Sequence, residues 1–274
     1  MPSTRIAFIG AGNMALSLIS GLIDDGWPHD EIYIADPDPA RREQILARFP
    51  VHSSASNLEA AQHGNIIVLA VKPQLMKEVT LEIAPVVQQN HPLVVSIAAG
   101  IRIDALERWL VHPTPIVRCM PNTPALVRSA ATVLFASTHV NEAQRNQAES
   151  LLRAVGLTLW IDDESLLDAV TALSGSGPAY FFLVIEALSA AGEKMGLPES
   201  IARLLSIETA VGAAKMALES REPPEVLRQR VTSPGGTTER ALEVLEEGHL
   251  RELFMTALQA AQQRARELAD KLGA

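Results

Sequence analysis

Through its first half the chain alternates short β-branched runs with amphipathic stretches, and this alternation restricts the available folds more than any other feature. Runs at 5–10, 32–35, 66–71, 93–96 and 116–119 have the length and Val/Ile content of buried strands. Stretches at 14–25, 39–48, 56–63, 74–88 and 103–110 carry apolar residues at helical spacing. Strands alternating with helices form right-handed βαβ units, and such units build a parallel sheet covered on both faces. A further run at 131–136, a helix near 141–155 and a strand at 157–161 complete the sheet at its far edge. From Asp162 the strand signal stops, and helical patterns follow at 165–173, 178–195, 198–219, 224–231, 237–247 and 250–272. The expected fold is α/β. A domain over 1–162 with a mostly parallel sheet precedes an all-helical domain over 163–274, with no Gly/Ser-rich linker between them.

Composition narrows the function. The formal net charge of −9, with no Lys/Arg run, repels a phosphate backbone, so no nucleic-acid partner is expected. The single cysteine, Cys119, rules out an internal disulfide and a Cys-rich metal site, and no metal is expected; Cys119 itself reads as a small buried hydrophobe at a strand end. Only residues 6–9 are apolar before the first glycines, too short for a signal-peptide core. No uninterrupted apolar run nears the roughly 18 residues that span a bilayer, and even 179–191 contains Glu186. A cytoplasmic protein without a membrane partner is expected. Segments 183–191 and 204–217 are apolar on more than one face, more than so small a helical domain covers by itself, which points to a homodimer through the C-terminal helices.

The first strand runs into Gly10-Ala11-Gly12-Asn13-Met14-Ala15, a G-x-G-x-x-A sequence that opens the first helix. Gly10 permits a tight turn, Gly12 lets the backbone approach a pyrophosphate, and Ala15 allows close packing of helix on strand. The helix start supplies free N–H groups and the positive end of its dipole. By itself the motif is weak. Its context strengthens it, because the second strand ends at Asp36, where a ribose-binding acid belongs. The first domain is therefore read as a Rossmann domain that binds NADP or NAD. Asp36 favours a free 2′-hydroxyl, while Arg41 and Arg42 just beyond can meet a 2′-phosphate or form a solvated helical turn, so the choice stays open, with NADP accepted beside NAD.

Four further segments move the reading from a fold to a family. Ala70-Val71-Lys72-Pro73 ends the strand at 66–71. Met120-Pro121-Asn122-Thr123-Pro124 follows the strand at 116–119. Ser174-Gly175-Ser176-Gly177-Pro178-Ala179-Tyr180 opens a long helix. The most specific, Val231-Thr232-Ser233-Pro234-Gly235-Gly236-Thr237-Thr238-Glu239-Arg240-Ala241, leads into another helix. Together with the glycine loop, and in the same order and spacing, these resemble the 1-pyrroline-5-carboxylate reductase family across essentially the whole chain. The resemblance implies a Rossmann domain followed by a helical domain that forms the dimer, with dimers often gathered into rings such as a decamer. It implies reduction of 1-pyrroline-5-carboxylate to L-proline by NAD(P)H, the last step of proline biosynthesis, at an active site between the Rossmann domain and helices of the dimer.

The residues divide accordingly. Gly10, Ala11, Gly12, Asn13, Met14 and Asp36 are expected to bind the cofactor. Ala70, Val71, Lys72 and Pro73 stand at a strand's carboxyl end, where open α/β sheets bind ligands, and the resemblance places them beside the nicotinamide ribose. Asn57 is either a plain N-cap or, by resemblance, a contact on the adenosine side. Asn122 sits in a stiff Pro-flanked loop that can hold backbone groups against a nicotinamide, or merely make a rigid crossover. Ser233, Gly235, Gly236, Thr237 and Thr238 form a glycine turn into a helix, a natural anion site for a small carboxylate, or else a capped helix start with Thr237 or Thr238 as N-cap. The resemblance makes Thr238 the catalytic candidate, hydrogen bonded to the ring nitrogen, and Glu164 a substrate contact able to stabilise an iminium. Arg230 stands where some family members carry Asn; it either reinforces the carboxylate site or points outward.

Two other readings compete. A hydroxyacid dehydrogenase or a different imine reductase keeps the same domains, but the former needs a lysine on an interdomain helix, and neither Lys194 nor Lys215 lies in such a motif. A non-enzymatic NAD(P)-binding protein needs no carboxylate clamp, and the intact segment 233–238 speaks against it.

Overall fold

The computed structural model describes residues 4–111 and 113–274; Met1–Ser3, part of the N-terminal stretch weighed above as a leader, and His112 lie outside the described residues. Eight strands are found among the described residues: β1 (Ile6–Ile9), β2 (Ile32–Ala35), β3 (His52–Ser54), β4 (Ile66–Leu69), β5 (Leu93–Ser96), β6 (Ile116–Met120), β7 (Ala130–Ala136) and β8 (Gly156–Trp160). They form one sheet in the order β3-β2-β1-β4-β5-β6-β7-β8. Every pairing is parallel except β6 with β7, where Val117 stands opposite Ala136. The order reverses at β1, so the crevice beyond the carboxyl ends of β1 and β4 is the place where such sheets bind ligands. The α/β expectation holds.

Successive side chains of a strand face opposite ways, and both faces here are covered. Ile6 and Phe8 of β1 with Ile66 and Val68 of β4 point into one core, shared with Leu18 and Ile19 of α1 (Asn13–Asp24) and Leu152 of α6 (Glu142–Arg153). Ala7 and Ile9 with Ile67 and Leu69 point into the other. Its cover comes from α3 (Asn57–His63), α4 (Met76–Asn90) and α5 (Ile103–Leu110). Between α1 and α3, α2 (Pro39–Leu46) inserts Ile45 into the first core. Each buried Ile, Leu or Phe contributes about 1.5–3 kcal/mol. The runs of β1, β4 and β5 are continuously apolar because both their sides are dry, whereas β8 at the far edge leaves Leu157 and Leu159 exposed.

One strand escaped that reading. β3 is His52-Ser53-Ser54, with no apolar side chain, at the sheet's edge. Only its neighbours reveal it: Tyr33 of β2 stacks on His52 at 4.5 Å and on His63 at 4.6 Å.

Beyond β8 come α7 (Leu167–Val170), a π-helical turn at Thr171–Gly175, α8 (Gly177–Lys194), α9 (Glu199–Glu219), α10 (Pro224–Arg230), α11 (Thr237–Glu247) and α12 (Leu250–Leu272). By packing, one compact unit comprises the chain up to Ser176 together with Ala261–Ala274, and a second comprises Gly177–Ala260. In the first unit the end of α12 buries Ala265 and Ala269. Ion pairs Arg102–Asp270 (3.0 Å) and Arg266–Asp168 (4.0 Å) fasten it, and Lys77 Nζ donates to the Ala274 carbonyl oxygen (3.0 Å).

In the second unit α8 packs on α9 so closely that a Cβ on Gly192 would lie 3.0 Å from that of Ala202. Yet Phe181, Phe182 and Leu204 remain 68, 66 and 59% exposed. This agrees with the surplus of apolar helix surface expected from the sequence. The helical stretch Glu164–Lys194 contains an 18-residue window with a mean hydropathy of 1.2, of which 17% is buried, and so also has the length and composition of a membrane span.

Candidate active site

The glycine loop is built for two different reasons. Gly10 has φ +103°, and its N–H donates to the Ala35 carbonyl at 2.7 Å. A Cβ there would stand 2.6 Å from the Ala70 carbonyl oxygen, so the protein itself demands glycine at this position. Gly12 has an ordinary φ of −77°, precedes the first residue of α1, and has no atom of the described residues within 4 Å of where a Cβ would be. Nothing in the chain demands glycine there. A bare backbone at the start of a 12-residue helix with no acidic residue in its first turn fits the close approach of a pyrophosphate. Ala15, in the first turn of that helix, is fully buried.

The loop opens onto a cleft of about 710 Å³, within the usual size range of cofactor sites. Gly10, Ala11, Gly12, Asn13, Asp36, Asn57, Ala70, Val71 and Lys72 all line it. Met14, Pro73 and Asn122 do not: Met14 packs against the core, and Pro73 starts a short 3-10 turn, Pro73–Leu75. The helix expected over 74–88 therefore begins only at Met76. Gln44, Leu75, Glu78 and Glu82 also line the cleft and were not singled out from the sequence. Glu78 and Glu82 are one helical turn apart, but spacing alone does not say that their face turns to a ligand.

Asp36 is 4% exposed, and its oxygens accept backbone N–H groups from Ala11 (2.9 Å) and Asp38 (3.0 Å). It thus braces the glycine loop from the end of β2. The two arginines separate cleanly. Arg42 donates to the carbonyl oxygens of Asp36 (2.6 Å) and Pro37 (3.3 Å) and is a loop strut. Arg41 lines the cleft with a half-exposed side chain, 3.6 Å from both Asp36 and Asp38 carboxylates. Asn57 is not an N-cap: Ser56 caps α3 by accepting from Glu59 N, and Asn57 donates to Glu82 at 2.7 Å across the cleft wall. Lys72 is exposed at the cleft with no ion pair among the described residues.

At the carboxyl end of β6 a second set of polar contacts gathers. Arg118, 3% exposed, donates to Glu164 at 2.8 Å, and the same Glu164 oxygen accepts from Ile103 N at 2.9 Å. Glu164, expected to contact substrate, is thus engaged in joining β6 and the start of α5. The sequence carried a signal for this pair: Arg118 is a charge inside an otherwise apolar strand, and a buried charge calls for a partner. Asn122 is 9% exposed and uses both ends of its amide within the protein, donating to Ser174 O (3.1 Å) and accepting from Ala131 N (3.0 Å). Burial raises the Cys119 thiol well above its ordinary range, so this cysteine is inert packing.

In the second unit, α10 ends at Arg230 and the chain turns through Gly235, whose φ of +71° suits glycine. Gly236 is the N-cap of α11 and makes no side-chain cap, which overturns the alternative of Thr237 or Thr238 capping the helix. Ser233, Thr237 and Thr238 hydroxyls make no hydrogen bond to described residues, and the N–H groups at the start of α11 have no intrahelical partner. That is a cluster of donors suited to a small carboxylate. Glu239, at the third position of the helix, already holds Gly235 N at 2.7 Å. Arg230 is engaged elsewhere, in a forked pair with Glu222 at 2.5 and 2.6 Å, so it does not reinforce the donor cluster. No group of three or more metal-ligating side chains occurs among the described residues.

Comparison with known proteins joins these parts. Residues 5–100 match the family model described as NADP oxidoreductase, coenzyme F420-dependent, and residues 164–268 match the one described as pyrroline-5-carboxylate reductase dimerisation. The chain is 52% identical over 273 residues to the pyrroline-5-carboxylate reductase of Pseudomonas aeruginosa, covering all of both chains. It is 43% identical to that of Haemophilus influenzae over 98% of each. Among solved structures, a pyrroline-5-carboxylate reductase from Coxiella burnetii superposes with a TM-score of 0.93 at 45% identity, covering 97% of this chain and 99% of that one. One from Plasmodium falciparum with NADP bound superposes at 0.88 and 30% identity, covering 98% and 99%. Prephenate dehydrogenase from A. aeolicus, at 13% identity and 0.56 over 93% of this chain and 99% of that one, shares the fold alone. By its length-wide identity to these reductases, the chain belongs to the pyrroline-5-carboxylate reductase family.

Proposed function

We propose that the chain reduces 1-pyrroline-5-carboxylate to L-proline, with residues 1–162 holding NAD(P)H and 163–274 holding the substrate and forming a homodimer. The observation that carries this reading is the donor cluster around the start of α11, where three hydroxyls and the helix N–H groups have no partner among the described residues. A carboxylate on a small cyclic imine is the ligand such a cluster suits. Bound NAD(P)H supplies a hydride to C5 of the imine. The protein's share is to clamp the substrate carboxylate with Ser233, Thr237 and the N–H groups that follow Gly236. Thr238 then hydrogen bonds the ring nitrogen, which takes up one proton to become the amine of proline. Holding the reacting carbons at attack distance is worth several kcal/mol. Glu164, turned toward Arg118, helps the substrate side indirectly by fixing β6 and α5.

The cofactor reading is NADP accepted beside NAD. Arg41 at the cleft is the residue for a 2′-phosphate, while Asp36, already holding two N–H groups, keeps lone pairs for a ribose hydroxyl. The exposed Phe181, Phe182 and Leu204 support a subunit interface. The same interface accounts for the apolar stretch Glu164–Lys194 without a bilayer. The deciding experiment is oxidation of NADPH and of NADH in the presence of 1-pyrroline-5-carboxylate, followed by loss of reduced-nicotinamide absorbance. Turnover with at least one cofactor and formation of proline are expected; no turnover with either refutes the proposal.

A further inference from the structure

The helical path from α7 into α8 is not regular. Ser176 N–H donates to Thr171 O at 2.8 Å, an i to i+5 bond, and residues Thr171–Gly175 form a π-helical turn. A reason lies in the sequence. The carbonyl of Ser174 would find its helical donor four residues on, but that residue is Pro178, which has no N–H. A carbonyl deprived of its partner in a part-buried place is costly unless another donor replaces it. Here the replacement is a side chain: Asn122 Nδ2 donates to Ser174 O at 3.1 Å. The amide cannot turn over, because Asn122 Oδ1 accepts from Ala131 N at 3.0 Å.

This contact is one of three that fasten the same strand end to the same helical segment. Arg118, Met120 and Asn122 are spaced by two, as residues sharing one side of an extended chain. Arg118 pairs with Glu164, and the Met120 methyl lies only 2.4 Å from where a Cβ on Gly175 would be. The π turn is therefore registered on the loop that leaves β6, and the Asn122 amide joins loop and turn by a direct hydrogen bond. π turns of this kind are frequent at functional sites.

We propose that Asn122 is a positioning residue for hydride transfer: its side-chain amide substitutes for the N–H that Pro178 lacks and locks the π turn to the Met120–Pro124 loop, so fixing the geometry in which cofactor and substrate react. The inference rests on the reductase reading. It assigns the Asn122 side chain to the protein's own frame rather than to contact with the cofactor.

The test is Asn122→Asp in the full-length enzyme. The aspartate keeps an acceptor for Ala131 N but sets a carboxylate oxygen against Ser174 O; once protonated, it donates to that carbonyl as the amide did. Burial and the facing carbonyl both disfavour its charged form, so protonation sets in above the ordinary carboxylate range. Near neutral pH kcat is expected to fall about tenfold or more, with the KM for NADPH within about twofold and a larger isotope effect from 4-deuterated NADPH. As the pH is lowered, the variant recovers toward the wild-type rate, a limb the wild-type profile lacks. A kcat unchanged from wild type overturns the proposal, as does a loss that is shared equally by NADPH binding and shows no acid recovery. Should the variant melt below the assay temperature, Asn122→Gln replaces it; it keeps donor and acceptor but lengthens the strut. Lower kcat at constant KM then supports the role, and unchanged kcat overturns it. Wild-type enzyme without turnover would instead sink the reductase reading.

Discussion

Two glycines two residues apart should fail in opposite ways when each is changed to alanine. At Gly10 the φ of +103° is costly for any L side chain, about 1–3 kcal/mol. The new Cβ would also press to 2.6 Å on a backbone oxygen, Ala70 O, which belongs to the strand end and cannot swing aside. The two terms together predict a loss of about 3–5 kcal/mol, and for a unit of this size that lowers Tm by about 10 °C or more. At Gly12 the φ of −77° is open to alanine, and no atom of the described residues lies within 4 Å of the added methyl. Alanine is a poorer N-cap than glycine by some tenths of a kcal/mol, and its stiffer unfolded chain returns about 0.4–1 kcal/mol, so the two effects nearly cancel. Gly12→Ala is expected to melt within about 2 °C of the wild type. Its methyl instead occupies the approach to the helix start, raising the KM for NADPH about tenfold or more while leaving the fold intact. Differential scanning calorimetry and steady-state kinetics on the pair decide the matter. If Gly12→Ala binds NADPH as the wild type does, the cleft is not entered from the helix start. If Gly10→Ala melts like the wild type, the steric reasoning is wrong.

Other outcomes follow from single contacts. Arg41→Ala should raise the KM for NADPH about tenfold and leave that for NADH within about twofold, on the scale of one hydrogen bond to a charged group; equal changes for both cofactors would remove Arg41 from 2′-phosphate recognition. Thr238→Ala should lower kcat/KM about tenfold or more, again the worth of one important hydrogen bond, and unchanged kinetics would remove it from the mechanism. Glu164→Gln leaves the Arg118 guanidinium buried without its counter-charge. Chemical denaturation should show a loss of about 2–4 kcal/mol, somewhat less than for a fully enclosed pair because Glu164 keeps some solvent contact. The double change Arg118→Met with Glu164→Leu should recover most of it, and a double variant as weak as the single one would mean the pair is not what is being measured.

Much of this is legible in the sequence alone. Seven of the eight strands announce themselves as apolar runs, and for β1, β4 and β5 the reason is that helices on both faces leave every strand position dry. β3 does not, because a three-residue polar edge strand is held by ladder bonds and by stacking on Tyr33, neither of which leaves an apolar pattern. The glycine loop was legible because strand, turn and helix are contiguous. The cleft's other walls were only partly so: Lys72 follows from standing at a strand end, but Glu78 and Glu82 needed the orientation of α4.

What the sequence by itself determined is the succession of elements, the dinucleotide loop and the family. Local periodicity and contiguous motifs carry all three. What only the tertiary structure decided is the employment of polar side chains far apart in the chain. Of two adjacent arginines, Arg42 braces a loop and Arg41 faces the cleft. Glu164 answers Arg118 from 46 residues away, and Asn122 answers a carbonyl 52 residues away. Spacing along a chain says which side chains can donate or accept. Which partner each one finds depends on the three-dimensional placement of groups that burial leaves without water, and no local pattern encodes that placement.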